Sequence, residues 1–133
     1  MSIDRQQYRR MQAVEKIPLF KNLESKELQR MLALFTFQSY DALHRLYTVG
    51  EPSESMFILL KGIIIITPES GEEPLGEIRS GMSIGEMGFF TGHPRSANAT
   101  TMVESTGLQI LKSDLEALFM EDQRIHNIVL QNV

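Results

Sequence analysis

Between Thr36 and Lys112 the chain is cut into short apolar runs: LHRLYTV, SMFILLK, GIIIITPE, PLGEIRS, SANATTMV and GLQILK. Between them stand G-E-P, K-G, S-G-E-E, S-G-M and E-S-T-G. Turn residues at so short and regular an interval argue for a β-sandwich or β-barrel of about eight strands, not for alternating βαβ units. The isoleucines at 63 to 66 predict a strand buried on both faces, or nearly so.

Helical periods flank this region. Residues 2 to 15 have helix-forming composition, with Ile3, Met11 and Val14 as sparse apolar positions, and Pro18 ends the segment. In NLESKELQRMLALF the spacing of Leu23, Leu28, Met31, Leu32 and Phe35 predicts a second helix with Ser25 as its N-cap. After Lys112, Ser113 and Asp114 are placed to cap a helix from Leu115 to Met120. A further stripe of Ile125, Ile128 and Val129 runs to Val133 without a C-cap. The expected layout of the 133 residues is one domain: helices over 1–35, strands over 36–112, helices over 113–133.

Charge and composition narrow the function classes. A net charge of −4 provides no basic face for nucleic acid. The absence of cysteine removes disulfides, thiolate metal sites and cysteine nucleophiles. The opening MSIDRQQYRRMQAVEK lacks the apolar stretch of a signal peptide. The longest apolar region, MFILLKGIIIIT, is interrupted by Lys61 and Gly62 and is too short to span a bilayer. The expectation is a cytoplasmic protein with no membrane partner and no direct contact to nucleic acid.

The segment IGEMGFFTGHPRSANA, residues 84–99, holds the residues of an anion site. Gly85 lets backbone approach a ligand, and a helical turn starting near Glu86 would aim free N–H groups at negative charge. Arg95 can grip a phosphate through two parallel hydrogen bonds, with Ser96 and the Ala97 N–H beside it. Glu86 would be repelled by that phosphate, so its use is to accept from a sugar hydroxyl, as acidic residues do in dinucleotide sites. Ile84, Met87 and Ala99 would wall the pocket. The plainer alternative is a surface ion pair of Glu86 with Arg95, worth little.

This combination resembles the cyclic-nucleotide-binding domain family, with IGEMGFFTGHPRSANA similar to its phosphate-binding cassette. IPLFKNLESKELQRML resembles the family's helical entry, YTVGEPSESMFILLKGIIII its glycine-acid turn, strand and hairpin, and GLQILKSDLEALF its closing strand and helix. The resemblance covers roughly residues 17 to 121. It implies a mostly β fold with flanking helices, a double-stranded β-helix (a jelly-roll-like β-roll) ending in hinge helices. It also implies that Glu86 takes the ribose 2′-hydroxyl, that Arg95 neutralises the cyclic phosphate, and that Gly85, Ser96 and Ala97 donate or make room around it. Leu43 stands where the family often has glycine, and Thr101 where it often has alanine. Serine at 96 goes with cyclic AMP in the family and threonine with cyclic GMP, so the ligand expected is cyclic AMP, with cyclic GMP as the other candidate. The residues that cover the purine usually come from farther along the C-terminal helix.

Other constellations are weaker. A cupin metal site needs His-x-His, whereas His44, His93 and His126 are widely separated. His93 is expected at an exposed loop tip, and no third group orients a Ser96–His93 pair. The eight methionines read as core filler, and Arg5, Arg9 and Arg10 as a solvated helix face. The chain is therefore expected to be a non-enzymatic sensor without cofactor, binding a cyclic nucleotide and moving a hinge helix near 113–120. A homodimer or a downstream protein partner would receive the signal. The alternatives are a non-binding relative acting in protein contacts and the effector-binding part of a transcription regulator.

Overall fold

The structure, a computed structural model, describes residues 5–132. Ile3 and Val133 lie outside the described residues. Three helical pieces come first: α1 (Arg5–Glu15), a 3-10 turn (Pro18–Phe20) and α2 (Ser25–Leu32). Eight strands follow: β1 (Thr36–Tyr40), β2 (Arg45–Tyr47), β3 (Ser55–Lys61), β4 (Ile64–Thr67), β5 (Gly76–Ile78), β6 (Ser83–Ile84), β7 (Asn98–Thr101) and β8 (Ser105–Leu111). A short helix, α3 (Glu86–Thr91), interrupts them, and α4 (Lys112–Glu121) and α5 (Gln123–Asn132) close the chain. All pairings are antiparallel, in two four-stranded sheets ordered β1-β8-β3-β6 and β2-β7-β4-β5. This is a mostly β fold with flanking helices, built as a β-roll.

Burial divides into two layers. Met56 and Ile58 of β3 and Leu108 and Ile110 of β8 join Val14, Ile17, Phe20, Met31, Leu115, Ile125 and Val129 in a core between helices and sheet. Phe57 and Leu59, the alternate residues of β3, turn the other way and meet Ile64, Ile84 and Ala99 between the two sheets. The strand buried on both faces is therefore SMFILLK, not the isoleucine run. Only Ile64 of residues 63–66 is buried, because the helical core includes no residue of β4 and leaves that sheet's outer face uncovered. Apolar content alone could not separate these strands; the side on which the helices dock does.

Two helix starts differ from expectation. Glu24, not Ser25, is the N-cap of α2, and its N–H donates to the Glu27 carboxylate three residues on (2.8 Å). Helix α4 begins at Lys112 with Leu111 as its N-cap, ahead of Ser113 and Asp114, because β8 runs straight into it. Asp122 breaks α4 from α5 in an extended conformation and accepts the Ile125 N–H (3.1 Å), capping α5. Its other oxygen takes Arg30 of α2 (2.7 Å).

Both departures noted in the sequence acquire a location. Leu43 adopts φ +64, a left-handed conformation that a glycine takes without strain, and is 72% exposed. Thr101 is fully buried: its hydroxyl donates to the Asp41 carbonyl (2.7 Å) and accepts the His44 N–H (2.8 Å). An alanine there would leave both groups without that partner. Among the described residues no helix is long and apolar enough to cross a membrane.

Candidate functional site

The chain between β6 and β7 is shaped by two left-handed glycines that bracket α3. Gly85 (φ +87) starts it and Gly92 (φ +78) ends it. A Cβ on Gly85 would stand 2.5 Å from Arg95 Nη1 and 3.2 Å from the Ser55 carbonyl, so this position needs glycine for space as well as for φ. A Cβ on Gly88 would collide with the Ser53 side chain, whose hydroxyl donates to the His93 carbonyl (2.7 Å). That bond, together with Arg95 N–H to Glu51 O (2.8 Å) and Gly50 N–H to Arg95 O (2.9 Å), fastens the loop to the β2–β3 connection.

A cavity of about 460 Å³ opens beside α3, within the range of nucleotide-sized ligand sites. Gly85, Glu86, Met87, Arg95, Ser96 and Ala97, all singled out in the sequence, line it together. Ile84 lines it as expected. Ala99 does not; it is fully buried between the sheets, one step deeper along β7. Met87 is 72% exposed at the mouth, Ser96 and His93 are exposed, and Ala97 is buried.

Arg95 is the unusual residue. It is only 6% exposed, yet no carboxylate lies within ion-pair distance of it among the described residues. Its Nη2 donates to the Ser55 carbonyl (2.6 Å) and its Nη1 to the Gly85 carbonyl (3.2 Å). Its Nε is buried with no partner. Burial lowers the Arg95 pKa from the ordinary arginine range, and Tyr47 and Glu51 act the other way. A cation in this position is costly without a compensating anion. Glu86, half-buried in the same cavity, makes no salt bridge to it, which removes the simple ion-pair explanation.

Three lining residues, all within the stretch YTVGEPSESMFILLKGIIII, were not assigned to the site from the sequence. Tyr47 places its ring 4.2 Å from the Arg95 guanidinium carbon, Ser53 holds the loop, and Ile66 supplies the apolar floor from β4. Burial raises the Tyr47 pKa, with Arg95 opposing and Glu86 adding to the rise. Each lies 29 or more positions from Arg95 along the chain, so the segment 84–99 by itself does not announce it.

A β-roll with a glycine-started helical turn, a buried arginine and a carboxylate around one cavity is an arrangement suited to a small anionic ligand. The cyclic nucleotide-binding domain profile matches residues 37–122, and the chain belongs to that family. Among curated relatives, glutaminase 1 of Bradyrhizobium diazoefficiens is 26% identical over 116 residues, covering 87% of this chain and 19% of that protein. The cAMP-dependent protein kinase regulatory subunit of Neurospora crassa is 24% identical over 105 residues, covering 79% of this chain and 27% of that one. The chain thus spans about a fifth to a quarter of the length of these relatives. Among solved structures, the regulatory domain of Toxoplasma gondii PKA with cAMP superposes with a TM-score of 0.81 at 18% identity, covering 88% of this chain and 46% of that chain. At that identity the likeness is one of fold.

Proposed function

We propose that the cavity binds a 3′,5′-cyclic nucleotide, cyclic AMP in preference to cyclic GMP, and that occupancy shifts α4 and α5. The observation that carries this reading is Arg95: a buried guanidinium that, among the described residues, has an orphaned Nε and no salt bridge, in one cavity with a Glu86 that also makes none. A cyclic phosphate is a monoanion whose ribose 2′-hydroxyl is free, which suits one cation and one acceptor. Arg95 would take the phosphate, Glu86 the hydroxyl, and Gly85, Ser96 and Ala97 the space and donors beside the phosphate, with Met87 at the rim. The Neurospora relative, a cAMP-dependent protein kinase regulatory subunit, supports that ligand. The role is binding and not catalysis, with no cofactor, and the site of action is the cytoplasm, where nucleoside triphosphates are available to make the ligand.

The contacts that such a shift of the C-terminal helices would exchange lie at their junctions with the N-terminal helices. Helix α2 is tied to the α4–α5 junction by Arg30 with Asp122 (2.7 Å) and by Arg124 with Glu27 (2.5 Å), while Asn132 donates to the carbonyls of Leu19 (2.9 Å) and Lys21 (2.8 Å). Both arginines are half-exposed while Glu27 is buried and Asp122 partly so, and a ligand with differential affinity for two helix positions could exchange these contacts. Amide hydrogen exchange over residues 112–132, with and without cyclic AMP, would register the movement; unchanged exchange at saturation would refute it.

A second reading has its own support, because both terminal nitrogens of Arg95 already bond to backbone carbonyls. In that reading the arginine is a clamp and the domain serves protein contacts only. Calorimetric titration decides between them. The wild-type protein should bind cyclic AMP, and Arg95→Ala should weaken it by about 2–5 kcal/mol, roughly 30- to several-thousand-fold. Binding unaffected by that substitution, or no binding by the wild-type protein, overturns the ligand assignment.

A further inference from the structure

We propose that Tyr47 is a positioning residue for the ligand's anionic group, its ring holding the Arg95 guanidinium in place beside the cavity before the ligand binds. This rests on the cyclic-nucleotide reading above and assigns that site a residue with no place in the cassette motif.

The geometry divides the work among three neighbours. The Ser55 and Gly85 carbonyls fix two points on the edge of the guanidinium, at Nη2 and Nη1. Two edge contacts leave the group free to tilt; a ring lying 4.2 Å from Cζ opposes that tilt. The ring is itself supported, since Phe57 of β3 lies 6.5 Å from it at a 31° tilt. The strand is also irregular at this place. Arg45 pairs with Thr100 and Tyr47 with the next residue of β7, Ala99, so β2 carries a register shift between them. An extra residue of this kind re-aims a side chain, and here the re-aimed side chain lines the cavity. A phenol is already neutral at physiological pH and burial raises its pKa further, so it sets no negative charge against an incoming anion.

An arginine side chain ordered before binding does not have to be ordered by the ligand, and that saving is what the ring contributes. In the full chain, Tyr47→Leu should weaken cyclic AMP binding by about 3- to 10-fold in calorimetric titration. Tyr47→Phe, which keeps the ring face, should restore it. The Arg95 Nε–H resonance in ¹H–¹⁵N spectra provides a readout that plain filling of space would not move. It should exchange slowly with solvent in the wild-type protein and in Tyr47→Phe, and fast in Tyr47→Leu, with the dispersion of the same spectra confirming that each variant is folded. A folded Tyr47→Leu protein with wild-type affinity and wild-type Nε–H exchange overturns the proposal, as does a Tyr47→Phe protein as impaired as Tyr47→Leu. A wild-type protein that binds no cyclic nucleotide overturns the underlying reading and this proposal with it, a result distinct from a binding protein indifferent to residue 47.

Discussion

Replacing Gly85 by alanine tests the site through its tightest contact. Two costs follow from the structure. The first is backbone strain, since φ is +87 and a left-handed conformation costs a non-glycine residue about 1–2 kcal/mol. The second is local. The new Cβ would lie 2.5 Å from Arg95 Nη1, 3.4 Å from its Cζ and 3.2 Å from the Ser55 carbonyl oxygen. Ser55 belongs to the ladder of β3 with β8 and does not yield, so the guanidinium must leave, breaking the Nη1 bond to the Gly85 carbonyl. That loss adds about 1 kcal/mol. Gly81 isolates the first cost: its φ is +88, and a Cβ there meets nothing within 4 Å. Urea unfolding should show Gly81→Ala losing about 1–2 kcal/mol and Gly85→Ala about 1 kcal/mol more. Calorimetric titration should show cyclic AMP affinity kept in Gly81→Ala and reduced about tenfold or more in Gly85→Ala, for a displacement worth at least about 1.4 kcal/mol. In an Arg95→Ala background the excess cost of Gly85→Ala should vanish, because the colliding group is gone. Equal stability losses in the two glycine variants, with affinity unchanged in both, would refute the claim that Gly85 is there for Arg95.

The two departures from the family pattern make simpler predictions. Thr101→Val keeps the shape but removes the hydroxyl that joins Asp41 to His44, so urea unfolding should report a loss of about 1–3 kcal/mol with cyclic AMP affinity intact. Leu43→Gly should raise stability by up to about 1 kcal/mol, since it relieves the strain at φ +64 and gives up an exposed side chain; a destabilised variant would mean that Leu43 has a contact worth more than its strain.

Much of the architecture was legible in the sequence because its signals are local. Turn residues divided the runs that became β2, β3, β4, β5, β7 and β8, and the 3.6-residue stripe of Leu28 and Met31 became the buried face of α2. Strands β1 and β6 had no marked run of their own; both lie at the edges of their sheet, where β1 pairs with β8 and β6 with β3. The caps were misplaced for a similar reason. Ser25 and Ser113 are good capping residues, but the reciprocal Glu24–Glu27 arrangement and the direct entry of β8 into α4 fixed the starts elsewhere. The isoleucine run was overread because apolar content reports a tendency to be buried and not which sheet the helices cover.

For the site, the sequence by itself determined the chemical groups: a glycine free to be left-handed, a carboxylate, and an arginine followed by small residues, all within residues 84–99. Those groups are set by side-chain type and short spacing, which a single segment carries. Only the tertiary structure decided their state. It buried Arg95, kept it out of reach of Glu86, gave two of its nitrogens to the Ser55 and Gly85 carbonyls, and laid Tyr47 across its face. Ser55 is 40 residues from Arg95 along the chain, and they meet because two sheets close on each other. Which donors an arginine has left to offer depends on partners that distant in sequence, and burial by the second sheet is what makes the one unpaired nitrogen costly.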